Sequence, residues 1–193
     1  MLQNCIAKSN NPYYDKKSWS GIDTKSQTWI IRGSCLTKGD MGLLKNKIPP
    51  VLVVALYLAV MFGLTTGFPQ LRFQLSYHIP LASLLLIIAL LIITMAVLAF
   101  RKAQTTVDPT QPENASKLVC GGIFSVTRNP MYLGMALLLI AAGIYWQHIA
   151  ALFLALSFPL YLTCFQILPE EQAMAKLFPA QWPDYKKRVR RWI

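Results

Sequence analysis

Two short stretches of the chain combine residue types that could do chemistry. The first is Arg128-Asn129-Pro130-Met131-Tyr132, at the start of an apolar segment. Pro130 disfavours helix at Asn129 and suits the first turn of a following helix, so Arg128 and Asn129 fall just ahead of a helix amino terminus. Such a place offers free backbone N–H groups to a carboxylate or phosphate, with Arg128 as a fixed cation. Arg128 is equally the kind of residue that anchors a helix end at a membrane surface. The second stretch is Leu168-Pro169-Glu170-Glu171, where another apolar segment gives way to polar sequence. Adjacent carboxylates after a proline suit a helix first turn. They can simply open a surface helix, or they can hold a cation and hydroxyl groups such as an ammonium and a ribose.

Other chemistry finds less support. Cys5, Cys35, Cys120 and Cys164 show no CxxC or Cys/His spacing, and His78 and His148 lie far apart, so no metal site is expected. The stretch Gln181-Trp182-Pro183-Asp184-Tyr185 through Arg190-Arg191-Trp192-Ile193 mixes Trp with Lys and Arg. It reads as an interfacial anchor on anionic head groups.

The elements that must position these residues are membrane helices. Of 193 residues, 54% are hydrophobic and only 14% charged, too apolar for an ordinary soluble domain of this size. The net charge of +11 does not point to nucleic acid, because the basic residues flank long apolar runs instead of interleaving with aromatics on a polar face. Residues 1–40 are polar, lack a sustained apolar period and are expected to be a disordered or non-native extension ahead of a membrane domain at 41–193. Within that domain Ile48–Phe68 and Ile79–Phe100 are uncharged runs long enough to span the hydrocarbon layer. Met131–Trp146 and Ile149–Leu168, separated by Gln147-His148, predict a tight carboxy-terminal helical hairpin, with Pro159 expected to kink its second arm.

The expected fold is therefore an all-α integral membrane protein of about four transmembrane helices with a cytoplasmic carboxy-terminal helix. Lys45, Lys47, Arg101, Lys102, Lys117, Arg128 and the terminal basic cluster then share one face, against Arg72 alone on the other. By the positive-inside rule the crowded face is cytoplasmic. Both termini and the polar segments 101–130 and 169–193 belong to it, and the active site is expected there.

Order and spacing together say more than any one motif. The series Thr105-Thr106-Val107-x-Pro109, Leu118-Val119-x-x-Gly122-x-Phe124, Arg128-Asn129-Pro130-x-Tyr132-x-Gly134, an apolar hairpin, Glu170-Glu171, Phe178, Trp182-x-x-Tyr185 and Val189-Arg190-Arg191-Trp192 resembles the isoprenylcysteine carboxyl methyltransferase and phospholipid methyltransferase group over residues 41–193. The resemblance implies S-adenosylmethionine held at the cytoplasmic side and a lipophilic acceptor entering from the bilayer. It implies cofactor contacts at Ser116, Lys117, Leu118 and Val119, at Phe124, at Asn129, Pro130, Met131 and Tyr132, and at Glu170 with Glu171 in support. Arg128 is the candidate for orienting an anion, and no general base is singled out.

The chain departs from the isoprenylcysteine enzymes at several of these places. Ser116 and Asn129 stand where those enzymes have His, Phe124 where they have Tyr, and Pro179 where Gly is usual. Gln166 stands where they carry a substrate-facing Arg; Gln cannot neutralise a carboxylate, which argues against a prenylcysteine acceptor and leaves Gln166 as a candidate substrate contact. Two other classes fit parts of the pattern. One is an NADPH-dependent membrane reductase like the sterol reductases, which share some of the carboxy-terminal layout but call for more spans. The other is a non-catalytic membrane protein whose basic tail binds anionic lipid. The sequence carries no signature for the acceptor's identity or for an oligomeric state.

Overall fold

The computed structural model describes residues 48–103 and 118–193. The polar extension 1–40 and the expected contacts Ser116 and Lys117 lie outside the described residues. Among those described, every regular element is helical: α1 (Pro50–Gly67), α2 (His78–Ala103), α3 (Pro130–Tyr145), α4 (Ile149–Leu162), α5 (Leu168–Leu177) and α6 (Trp182–Arg188). Proline opens α1 and α3 at the position where its missing N–H costs nothing.

Among the described residues, three helices are long and apolar enough to cross a membrane: α1, α2 and a continuous helix over Ile149–Leu177. α3 is apolar but shorter, at 16 residues. The expected hairpin is present, its turn closed by Gln147 in the left-handed region at φ 52°. The second arm differs from expectation. Instead of ending at Leu168, α4 passes through a π-turn at Thr163–Ile167 straight into α5. The cause is Pro169. It has no N–H to donate, and its ring would press on the carbonyl four residues back in an unbroken α-helix. The Leu168 N–H bonds the Thr163 carbonyl instead, and this wider turn lets the helix run on. Glu170 and Glu171 therefore sit inside a long helix and do not open a new one.

Packing follows small side chains. The buried residues of α2 are Ala82, Ala89 and Ala96, each seven positions on from the last, and they give α2 a smooth stripe. α3 lies along it, and Gly134 is a point of close approach. A Cβ there would stand 2.5 Å from Ile93 Cγ1 and 2.9 Å from the Ala89 carbonyl oxygen. Close helix contact through small residues is how membrane helices gain dispersion energy when lipid tails offer no hydrophobic contrast. α3 also packs on α4, and α1 packs on both around Met61, Leu139, Ala151, Ala155, Phe158 and Leu162.

The end of the bundle where α1 stops and α2 starts is locked by hydrogen bonds. His148 Nδ1 accepts from the Ala151 N–H at 3.3 Å and caps α4, and Nε2 donates to the Phe68 carbonyl at 3.0 Å. The Phe73 N–H reaches the Gln147 carbonyl at 2.9 Å. The opposite end, where α1 and α3 begin and α2 finishes, carries both candidate motifs.

Gly134 provides a direct test of the packing. Gly134→Val should destabilise the protein by about 1–3 kcal/mol through overpacking, seen as a lowered melting temperature in detergent. Gly63→Ala, where nothing lies within 4 Å of the new Cβ, should melt at or above the parent temperature.

Candidate functional site

The site is assembled from three stretches far apart in the chain: the start of α3, the first turns of α5 and residues 189–193. Tyr132, in the first turn of α3, points its hydroxyl at Glu170, 38 residues on, and donates a hydrogen bond to Oε1. Glu171 lies between two guanidinium groups. Arg191 grips it with two bonds, Nε to Oε1 and Nη2 to Oε2, both 2.9 Å. Arg128 Nη2 approaches Oε1 at 3.1 Å. Consecutive carboxylates on one helix thus have different partners, a neutral hydroxyl for Glu170 and two cations for Glu171.

Electrostatics follow from that geometry. Burial pulls the Arg128 guanidinium below its ordinary value, and the Glu171 charge opposes the shift. Arg191 moves the other way: its hydrogen bonds to Glu171 push it up more than burial pulls it down. Arg128 also lies over the Trp182 ring, 5.5 Å from its centroid, within cation–π range. With all that, Arg128 Nε and Nη1 are buried and carry no hydrogen bond.

The terminal segment is bonded into the site. It folds back over the start of α3. The Arg190 carbonyl accepts from the Arg128 N–H at 3.1 Å. The Arg191 carbonyl accepts from the Asn129 side-chain amide at 3.0 Å and from the Thr127 hydroxyl at 3.3 Å. Trp192 Nε1 donates to the Thr163 hydroxyl at the π-turn, 3.3 Å away. Beneath it Leu118, Phe178, Trp182, Tyr185 and Val189 form a small apolar core, and the Tyr185 hydroxyl donates to the Phe124 carbonyl at 2.8 Å.

The expected residues fall into place unevenly. Arg128, Asn129, Tyr132, Glu170 and Glu171 are brought together. Pro130 is buried at the start of α3, with Met131 half-buried beside it. Leu118 is buried and Val119 half-buried below the tail. Phe124 packs its ring edge-on against Phe100 of α2 at 5.0 Å, so its side chain faces the bundle. Gln166 is 1% exposed; its Nε2 donates to the Ile48 carbonyl at 2.8 Å, and Oε1 has no partner. Arg191, Thr127 and Thr163 were not anticipated. Basic and aromatic residues at a chain end match a lipid anchor as well as a returning strap, and no local pattern separates the two.

An arrangement of this kind can hold a small polar molecule against an apolar bundle. Glu170 offers a carboxylate that is already oriented by Tyr132, suited to an ammonium or to vicinal hydroxyls. Arg128 offers donors suited to an oxyanion. No group of His, Cys, Asp and Glu able to hold a metal ion occurs among the described residues.

The Glu171 clamp makes a testable demand. Glu171→Ala leaves two guanidiniums without their shared counter-charge. It should destabilise the protein by about 2–4 kcal/mol, at the lower part of the range for a broken buried pair because Arg191 is 27% exposed. Limited trypsin digestion should then cut after Arg190 and Arg191 faster than in the parent protein.

Comparison with curated proteins and with solved structures finds no match. A family model does match, over residues 77–181, which takes in α2 through α5 with Tyr132 and both glutamates. That match covers more than half of the sequence and two of the three stretches that build the site, the start of α3 and the first turns of α5, and the chain belongs to the phospholipid methyltransferase family.

Proposed function

We propose that the protein transfers a methyl group from S-adenosylmethionine to a lipophilic or amphiphilic acceptor that arrives from the bilayer. Membership of a methyltransferase family for lipid-type substrates supports the reaction class. The observation that carries the reading to a site is the Tyr132–Glu170 hydrogen bond beside the Arg128–Glu171 ion pair. It joins the two sequence-distant motifs at one end of the bundle, where the resemblance expects one cofactor pocket.

The residues present fit that cofactor. Tyr132 occupies one oxygen of Glu170 and leaves the other to accept from an ammonium or a ribose hydroxyl. Asn129, Pro130 and Met131 would line the pocket at the start of α3, with Leu118 and Val119 nearby and Phe124 behind them against α2; Ser116 and Lys117, which the resemblance adds to these contacts, lie outside the described residues. Glu171 would act at one remove, since its charge is committed to the two arginines. When bound, S-adenosylmethionine supplies an electrophilic methyl group whose sulfonium charge disperses during an in-line displacement. The chain's contribution is to align the reactants and keep bulk water out. The apolar core of Leu118, Phe178, Trp182, Tyr185 and Val189 serves the second task. Gln166, four residues before Glu170 in the same helix, is the candidate acceptor contact through its unpartnered Oε1, which requires the buried side chain to open toward the acceptor. The excess of basic residues at this end supports a cytoplasmic active site.

Calorimetry in detergent tests the assignment. The protein should bind S-adenosylhomocysteine at roughly micromolar affinity. Glu170→Ala should abolish that binding. Tyr132→Phe should weaken it by about tenfold, the usual worth of a hydrogen bond to a charged group. A folded protein that ignores the nucleoside would remove the methyl-transfer reading. Incubating lipid extracts with radiolabelled S-adenosylmethionine should place label in the organic phase, and label confined to water-soluble products would exclude acceptor entry from the bilayer.

A further inference from the structure

The terminal segment has two faces of opposite character. Trp182, Tyr185 and Val189, three and four positions apart, turn inward and are buried in the small core. The carbonyls of Arg190 and Arg191 bond the start of α3 from the same side. Between these residues Lys186, Lys187 and Arg190 are exposed.

The end of α2 adds to this charge. Phe100 packs edge-on against Phe124, and the Tyr185 hydroxyl bonds the Phe124 carbonyl, which sets the last turn of α2 beside α6. Arg101 and Lys102, both exposed, follow Phe100 in that turn, as Lys186 follows Tyr185. Asp184 is the one exposed acid among the described residues. Such an excess of one sign is self-repelling and works against the compact state, on the very segment that has to stay closed over the site.

Exposed apolar side chains lie next to the cations. Val126 is 59% exposed and Ile193 72%, and the bond from the Thr127 hydroxyl to the Arg191 carbonyl draws their two stretches together. Cations beside aliphatic side chains, at the end of a bundle of membrane helices, complement the boundary where lipid phosphates meet acyl chains. A soluble polyanion would complement the cations alone.

We infer that the outer face of α6 and the terminal segment is a docking surface for anionic lipid head groups, and that anionic lipid holds this segment closed over the site. Head-group charge relieves the repulsion among Lys186, Lys187, Arg190 and the end of α2. It thereby keeps Arg191 on Glu171 and the start of α3 in place, so the composition of the leaflet regulates the site. The effect on catalysis rests on the methyl-transfer reading; the docking does not.

Hydrogen exchange of the full chain in nanodiscs tests the docking, with discs of phosphatidylcholine compared to discs in which a third of the lipid is phosphatidylglycerol. Exchange over residues 182–193 should slow by about tenfold in the anionic discs, and high salt should remove that protection. The double variant Lys186→Gln, Lys187→Gln should lose most of the protection and match the parent over α3, which shows that it is folded. S-adenosylhomocysteine affinity of the parent should rise with the protection, and that of the variant should not. Equal exchange in the two discs, or equal protection of parent and variant, would overturn the docking surface. So would inositol hexakisphosphate protecting the segment as well in phosphatidylcholine discs, since the partner would then be a soluble polyanion. Protection with no change in nucleoside affinity would uphold the docking and overturn the regulation. Protection with no nucleoside bound in either disc would uphold the docking and remove the methyl-transfer reading instead.

Discussion

The arrangement of the site depends on one carboxylate, that of Glu171. It is the point where the start of α3, the first turns of α5 and the terminal segment meet, through Arg128 on one side and Arg191 on the other. Near a membrane surface such a charge cannot be left alone, because transfer out of water costs several kcal/mol unless it is fully paired. Two arginines and the backbone bonds that flank them meet that need. Desolvation sets the requirement and the surrounding chain follows: the tail has to return because Glu171 is there to be neutralised.

The neighbouring residue shows what this leaves available. Glu170 differs from Glu171 by one step along the helix, yet its hydrogen bond is to a phenol and not to a cation. It keeps its capacity to attract positive charge, which Glu171 has largely lost. A pair that looks redundant in sequence is thus divided by its surroundings into one residue that holds the structure and one that can hold a ligand. Rigid packing behind them makes the division stable. Tyr132 and Gly134 are two residues apart on α3, so the close seat of Gly134 on α2 also fixes where the tyrosine hydroxyl can reach.

What was legible in the sequence was whatever depends on local rules. Hydropathy and length gave α1 and α2 nearly to the residue, Pro130 marked the start of α3, and Gln147-His148 marked the hairpin turn. The convergence of Arg128, Asn129 and Tyr132 with the glutamates followed from motif order. The failures share a cause. Pro169 satisfies the local preference for a helix start, and only the register of the preceding helix shows that a π-turn absorbs it. The partners of Arg191 lie 20 and 62 residues away, and its neighbours along the chain carry no trace of either. The amide of Asn129 bonds a carbonyl that only the returning tail supplies, which the residues around it do not announce.

The π-turn at Thr163–Ile167 has a consequence for how this protein can vary. A π-turn holds one residue more than the α-turn it replaces, so the extra residue is taken up within the turn and the helix beyond keeps its angular phase. The aim of the acidic pair is therefore governed by the width of that turn as well as by residue identity. A further residue inserted there, with no wider turn to take it up, would swing the carboxylates by about 100° round the axis, away from tyrosine and arginine alike. Drift by substitution along this stretch is mild by comparison; a change of length that the turn does not take up resets the angular phase of the whole acidic turn.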